Sequence, residues 1–187
     1  IDPKTVKKVL LTHAHFDHVG NLDHYPQAEF TIHLDEMNSI TGPDITFAPF
    51  RIAYHKRDTQ RLVELLYEDR LSFYTETINH VAPGIEFHLV GGHSRGQMIL
   101  RVHTKRGWIV LASDAVHLYE EVETERPFAI FHDLQKMING YRTSMDLAGG
   151  IDRLISGHDP KVTDWYPAIS NEFEGQVLDL NVSPKMD

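Results

Sequence analysis

The residues of this chain best suited to chemistry are concentrated in one short segment, residues 12–18, with the sequence THAHFDH. This segment directly follows a short apolar run and contains three imidazoles and one carboxylate. His13 and His15 are two residues apart, so their side chains would project to the same side of an extended backbone and could bind one ion. Asp17 and His18 lie just beyond, where they could face a second ion. The spacing therefore predicts a pair of metal ions.

The composition limits the classes of function. The chain has 187 residues, of which 41% are hydrophobic and 24% charged, and this predicts a single soluble domain over residues 1–187. A formal net charge of -9 argues against a nucleic-acid or anionic-membrane partner, because such surfaces require a basic excess. The chain has no cysteine, so any metal must be bound by nitrogen and oxygen. No apolar run approaches the roughly 18 residues of a membrane span, and we expect a cytoplasmic protein.

The elements that must position these residues are short strands and amphipathic helices. The apolar periodicity predicts strands at residues 9–12, 30–33, 85–90, 98–104, 108–112 and 151–156, and helices from about residue 35, at 57–70 and at 133–147. Residues 41–53 mix glycine and proline with apolar side chains, which is typical of a mobile flap, and residues 120–126 are a polar stretch. Four predicted strands end in a residue that can bind a metal: His13, His93, Asp114 and His158. We therefore expect residues 13–18 to form one metal site together with His93, Asp114 and His158.

These motifs occur in an order that is found in a known family. The sequence HAHFDH at residues 13–18, followed by GHS at 92–94, SD at 113–114 and GH at 157–158, resembles the signature of the metallo-β-lactamase superfamily. The resemblance covers essentially the whole chain and implies an α/β fold, the αβ/βα sandwich of two sheets with helices outside. In this family several strands precede the histidine cluster, whereas 12 residues precede it here. We therefore expect the N-terminal strands of the sandwich to be missing.

The same resemblance implies a set of metal ligands that are all imidazoles or carboxylates. The implied first site is His13, His15 and His93, the implied second site is Asp17, His18 and His158, and Asp114 bridges the two. This donor set suits zinc and also admits iron, manganese or cobalt, so we expect two divalent ions, zinc in the first instance. Two neighbouring cations would lower the pKa of a shared water and so provide the hydroxide that attacks the substrate. Asp17 is the candidate that passes the proton to the leaving group.

Sequence around the bridging aspartate indicates a branch of the family. Metallo-β-lactamases proper lack a bridging aspartate, whereas the sequences SDAVHLY at residues 113–119 and RPF at 126–128 resemble the N-acyl homoserine lactonase family. The best-known lactonases place a tyrosine three residues after the bridging aspartate, where its hydroxyl can help the substrate carbonyl. This chain has His117 there, with Tyr119 nearby. We expect His117 or Tyr119 to be the hydrogen-bond donor to the substrate.

The leading hypothesis is a dinuclear-metal hydrolase that opens the lactone ring of N-acyl homoserine lactones or related lactones and esters. Its partner would be a small-molecule lactone or ester, with no nucleic acid and no membrane, and a homodimer is one open option. The alternatives are a glyoxalase II-like thioesterase, an organophosphate esterase, or a non-catalytic metal-binding fragment. The apolar residues Ile45, Phe47, Phe50 and Ile52 of the predicted flap, with Phe16, are candidates either for an acyl-chain pocket or for the core.

Overall fold

The architecture consists of two β-sheets, each packed against helices. The computed structural model describes residues 1–186. The strands are β1 Lys8–Leu10, β2 Glu29–His33, β3 Leu71–Tyr74, β4 Ile78–Ala82, β5 Ile85–Leu89, β6 Met98–Thr104, β7 Gly107–Leu111 and β8 Leu154–Ile155. The helices are α1 Phe16–Val19, α2 Leu34–Thr41, α3 Ala48–Arg51, α4 Lys56–Tyr67, α5 Tyr119–Thr124, α6 Leu134–Ala148 and α7 Lys161–Trp165. The α/β class expected from the sequence is confirmed.

The first sheet is parallel and has the strand order β1-β2-β3. Its central strand β2 carries Phe30 and Ile32, both fully buried, because helices cover the sheet. Helix α2 follows β2 directly, and α4 precedes β3 and contributes the buried Leu62 and Leu65 to the same core. The carboxyl end of β1 leads into the histidine-rich segment. This sheet therefore anchors the start of that segment.

The second sheet has the strand order β4-β5-β6-β7-β8 and is antiparallel except for the parallel pair β7 and β8. Helix α6 packs on it, with Met137 and Tyr141 buried in the same core cluster as Ile99 and Val110. Asp133 caps the start of α6 by accepting a hydrogen bond from the backbone N–H of Lys136. The helix ends at Gly149, whose φ of +73° is in the left-handed region that favours glycine.

The two sheets meet beside the residues predicted to bind metal. The backbone N–H of Met98, at the start of β6, donates to the carbonyl of Thr12 at 2.9 Å. The hydroxyl of Thr12 lies 3.0 Å from that of Ser113, which follows β7. These contacts bring together the ends of β1 and β7 and the loop before β6.

Several short elements differ from the sequence expectations. Residues 41–53, predicted as a mobile flap in preference to a regular element, contain a 3-10 helix at Pro43–Thr46 and helix α3, so that preference is wrong. Strands β3 and β4 and helices α1, α5 and α7 were not predicted, because elements of four to six residues give little periodic signal. The strand predicted at 151–156 is a 3-10 helix at Ile151–Arg153 followed by β8. Helix α4 ends before residue 70, since Asp69 has a φ of +58°. Within residues 1–186, no helix is both long and apolar enough to span a bilayer.

Candidate metal centre

A first cluster of four buried side chains lies where the two sheets meet. His13, His15, His93 and Asp114 are each at most 5% exposed, and one donor atom from each lies within 4.8 Å of all the others. Nε2 of His93 is 2.8 Å from Nδ1 of His15 and 3.4 Å from Oδ2 of Asp114. The structure thus brings together three histidines and one aspartate from three separate loops.

A second cluster shares Asp114 and opens toward the surface. It adds Asp17, His18 and His158, whose side chains are 40%, 23% and 46% exposed. Nε2 of His18 lies 3.0 Å from Oδ1 of Asp114, and Nε2 of His158 lies 3.3 Å from Oδ2. Asp17 approaches His158 at 3.8 Å. Asp114 is therefore common to both clusters, the position that the resemblance gave it.

Close backbone contacts hold these loops in place. A Cβ on Gly157 would lie 2.6 Å from the carbonyl oxygen of Ser113, so the loop before His158 lies directly against the loop that carries Asp114. Gly92 has a φ of +93°, and a Cβ there would lie 2.5 Å from the backbone of Met137. The loop before His93 consequently rests on helix α6.

The first cluster keeps its imidazoles neutral. Burial lowers the pKa of His93 to about 3 and that of His15 to about 4, and burial with neighbouring imidazoles lowers the pKa of His13 as well. Nδ1 of His93 lies 2.9 Å from the carbonyl oxygen of Ile130 and must donate to it, which leaves the lone pair of Nε2 facing the cluster. Neutral imidazoles with inward lone pairs are the form that binds a metal.

An unpartnered buried nitrogen also fits a metal ion. Nε2 of His13 is buried and has no hydrogen-bond partner among the described residues, while Nδ1 of the same ring lies 3.2 Å from the hydroxyl of Thr12. Burying a polar atom without a partner is costly, and such an atom in a folded protein requires an explanation. A divalent cation would supply the missing partner, and the nitrogen and oxygen donors suit such an ion.

Asp114 is the charged centre of the arrangement. Burial alone would raise the pKa of its carboxyl group, but hydrogen bonds from His117 and His18 and the nearby imidazoles hold that pKa below its usual range. Asp114 is therefore an ionised carboxylate inside a ring of imidazoles.

His117, which neither cluster includes, also contacts Asp114. Its Nε2 lies 3.2 Å from Oδ2 of Asp114, and its ring stacks on Phe128 with 4.1 Å between centroids. Burial opposes protonation of His117, but Asp114 and Glu121 more than offset that effect and raise its pKa to about 9. The ring of His117 is thus held by a carboxylate at each nitrogen and by Phe128 against one face, and it lines the cavity.

Tyr119 does not face the cavity. Its side chain is fully buried, and its hydroxyl donates to the carbonyl oxygen of Leu154 at 2.9 Å. The ring packs on Trp165, with 4.5 Å between centroids. The expectation that Tyr119 donates to a substrate is therefore wrong, because its hydroxyl is used to anchor β8.

The two clusters open into a cavity of about 310 Å³. Asp17 and His158 lie at its polar side, and its apolar walls are Phe16, Ala53, Leu118, Phe128 and Ile130. Of the apolar residues that were candidates for either an acyl-chain pocket or the core, Phe16 lines this cavity, whereas Ile45, Phe47, Phe50 and Ile52 do not. Sequence reasoning missed most of this wall, because apolar residues in loops carry no periodic signal.

Sequence reasoning also missed a buried carboxylate behind the first cluster. Glu36 lies in the first turn of α2 and is fully buried. In the sequence it resembles the many solvated glutamates that begin helices. No signal in the sequence distinguishes it.

Comparison with known proteins agrees with this geometry. Residues 1–158 match the family described as the metallo-beta-lactamase superfamily, whose members typically bind divalent metal ions. An N-acyl homoserine lactonase from Bacillus cereus is 29% identical over 130 residues, which are 69% of this chain and 46% of that protein.

Solved structures share the fold at lower sequence identity. One is an N-acyl homoserine lactone hydrolase with the product N-hexanoyl-L-homoserine bound at its catalytic metal center. It has a TM-score of 0.71 and 21% identity, and the match covers 88% of this chain and 60% of that one. Another is AidC, a dizinc quorum-quenching lactonase, with a TM-score of 0.64, 17% identity and coverage of 86% and 60%. This chain thus spans about half to three fifths of the length of these relatives. Since the family match covers most of the sequence and the fold agrees with it, the chain belongs to the metallo-β-lactamase superfamily.

Proposed function

We propose that this protein is a metal-dependent hydrolase that opens the lactone ring of N-acyl homoserine lactones or closely related lactones and esters. The observation that carries the proposal is the convergence of imidazoles on one carboxylate at the base of a cavity. Oδ2 of Asp114 has four imidazole Nε2 atoms within 3.9 Å, those of His13, His93, His117 and His158. Such a concentration of donors around one oxygen is hard to account for without cations.

The proposed cofactor is a pair of divalent ions, zinc in the first instance. His13, His15 and His93 would hold one ion, Asp17, His18 and His158 would hold the other, and Asp114 would contact both. When bound, such ions supply a Lewis acid for a carbonyl group and lower the pKa of a nearby water. The neutral imidazoles of the first cluster and the unpartnered Nε2 of His13 support this assignment. The relative AidC is described as a dizinc enzyme.

Asp17 is proposed to carry the proton to the leaving alkoxide. Its carboxylate lies at the cavity, is 40% exposed, and is within 3.8 Å of His158. A carboxylate that lies between the buried centre and the cavity is suitably placed to receive a proton and release it.

His117 is proposed to donate a hydrogen bond to the substrate carbonyl. His117 lines the cavity, with its Nε2 3.2 Å from Oδ2 of Asp114, and Glu121 lies behind it, with Oε1 3.7 Å from Nδ1. With Asp114 engaged by the ions, the Nε2–H of His117 would be available to a substrate carbonyl. Glu121 is itself fixed by the hydroxyl of Tyr141, which donates to Oε2 at 3.0 Å. A rigid donor aimed at a developing oxyanion stabilises the transition state more than the ground state.

The cavity favours a small substrate with an apolar part. Its volume of about 310 Å³ is at the lower end of ligand pockets, and the wall formed by Leu118, Phe128 and Ile130 suits an acyl chain. The N-acyl homoserine lactone hydrolase that shares the fold was solved with an N-hexanoyl product. That product has such an acyl chain.

A substrate panel tests the proposal. Protein loaded with zinc is given an acyl homoserine lactone, a thioester and a phosphotriester, and kcat/KM is measured for each. We expect the lactone to have the highest kcat/KM. A higher value for the thioester or the phosphotriester would reassign the reaction to that class, and zinc binding without turnover of any substrate would indicate a metal-binding protein.

A further inference from the structure

Behind the first cluster lies the buried carboxylate of Glu36. Oε1 accepts hydrogen bonds from the backbone N–H of Ala14 at 3.0 Å and from the hydroxyl of Tyr54 at 3.1 Å. Oε2 accepts one from the backbone N–H of Gly96 at 2.8 Å. These partners are neutral, and within residues 1–186 Glu36 forms no ion pair.

An unpaired carboxylate in this position is costly to bury. Removing an ionised group from water without a cation beside it is unfavourable unless other interactions compensate. Consistent with this cost, burial raises the pKa of Glu36 although its hydrogen bonds act in the opposite direction. A leucine or methionine here would avoid that cost but would leave the backbone N–H groups of Ala14 and Gly96 without an acceptor, so the carboxylate holds two donors that an apolar side chain cannot.

Two partners of Glu36 belong to segments that carry the first cluster, and the third packs against one of its imidazoles. Ala14 lies between His13 and His15, and Gly96 follows His93 by three residues. Tyr54 packs its ring on the imidazole of His15, with 4.5 Å between centroids. One carboxylate thus joins the segment after β1 to the loop before β6.

The loop before β6 packs tightly against Glu36. A Cβ on Gly96 would lie 2.4 Å from the Cβ of Glu36, so the loop approaches α2 as closely as a glycine allows. The hydrogen bonds of Glu36 do not reach Asp17, His18 or His158. Any effect of the carboxylate on metal binding should therefore be confined to the first cluster.

We infer that Glu36 is a positioning residue that clamps His13, His15 and His93 in ligand geometry and places a negative charge behind the ion they hold. This inference rests on the proposed metal site. It assigns Glu36 a function in affinity for the first ion that is separate from any contribution to folding. The charge of a bound cation would also offset the electrostatic cost of burying the carboxylate.

The test uses Glu36→Gln, which keeps the shape of the side chain but turns one acceptor into a donor that faces an N–H. Zinc affinity is measured by competition with a chromogenic chelator, in the parent protein and in a His158→Ala background that isolates the first site. We expect Glu36→Gln to weaken zinc binding at the first site by about 10- to 100-fold, the usual range for residues that orient ligands.

The matched control is Glu86→Gln, the same change at the ion-paired carboxylate of β5. Glu86 lies 3.2 Å from Arg101 and 3.0 Å from His88 and contacts no residue of either cluster. We expect zinc affinities equal to those of the parent. Equal losses in both variants would mean that the effect is general and would overturn the inference.

A milder variant covers the case in which Glu36→Gln fails to fold. Tyr54→Phe removes one donor to Glu36 and keeps the ring on His15, so we expect a smaller loss of first-site affinity with an unchanged second site. If these variants melt at lower temperature without metal yet bind zinc as the parent does, Glu36 is merely structural and the inference is wrong. If the parent binds no zinc, the proposed function fails and this inference fails with it.

Discussion

The two clusters that share Asp114 differ sharply in burial. The three histidines of the first cluster are at most 5% exposed, whereas His158 and Asp17 of the second are close to half exposed. The first lies where two sheets meet, and the second lies on a short helix and a surface loop. One half of the site is therefore part of the core, and the other half is part of the cavity wall.

The surroundings of the two clusters differ in the same way. The first cluster is held from behind by Glu36, by the carbonyl of Ile130 and by the hydroxyl of Thr12. In the second, the imidazoles of His18 and His158 make their closest polar contacts with Asp114 itself. The difference indicates that the first half is preorganised by the fold, while the second half takes its geometry from Asp114 and remains open to a substrate.

The change that should break both halves at once is Asp114→Ala. Because Asp114 is the one residue common to the two clusters, we expect lactone hydrolysis to fall on the order of 1,000-fold or more, with loss of bound zinc. Metal content and turnover are measured on the same sample. The exposed Asp146→Ala on α6 is the control and should behave as the parent does; normal turnover with two bound ions in Asp114→Ala would refute the shared-ligand assignment.

The contrast in burial is tested by removing one histidine from each cluster. We expect His93→Ala to lose about tenfold more zinc affinity than His158→Ala, a difference of about 1.4 kcal/mol. Water can take the position vacated by the half-exposed His158, but it has poor access to that of the buried His93. Chelator competition measures both variants. Equal losses, or a larger loss in His158→Ala, would mean that burial does not distinguish the two halves.

A smaller loss of activity is expected from a substitution that alters the reaction step but leaves metal binding intact. His117→Phe removes the proposed donor while keeping a ring against Phe128, so we expect kcat to fall about 100-fold with zinc content unchanged. His117→Tyr restores a donor and should recover part of that loss. An unchanged kcat in His117→Phe would remove His117 from the reaction.

The smallest effect should come from the apolar wall of the cavity. Leu118→Ala removes partly exposed apolar surface, so we expect KM for a long-chain acyl lactone to rise about fivefold while kcat is kept. KM for a short-chain lactone should change less, since a short chain leaves this wall uncovered. Identical shifts for both chain lengths would show that Leu118 does not contact the acyl chain.

The sequence was most informative where a residue that can bind a metal follows a predicted strand. His93, Asp114 and His158 could be connected to residues 13–18 because each follows a short apolar run, and the structure does bring them together. The family resemblance then gave the order of the motifs and the architecture. These inferences needed only local patterns and the rule that strand ends gather at a sheet edge.

The sequence was least informative where function depends on burial across the fold. In the sequence, Glu36 is one more glutamate at the start of a helix; only the structure shows that the backbone N–H groups of Ala14 and Gly96 donate to it. Tyr119 lies two residues from His117 yet faces the opposite way, because helix α5 begins there and turns its ring toward Trp165. Both depend on contacts between residues far apart in the chain, which spacing cannot predict.

The most direct test of the proposed two-ion hydrolase is to count bound zinc and measure hydrolysis of an acyl homoserine lactone on one purified sample, before and after chelation. We expect about two zinc ions per chain, loss of hydrolysis when the metal is removed, and recovery when zinc is restored. Hydrolysis that survives complete removal of metal, or two bound ions without any hydrolysis of the lactone, would contradict the proposal.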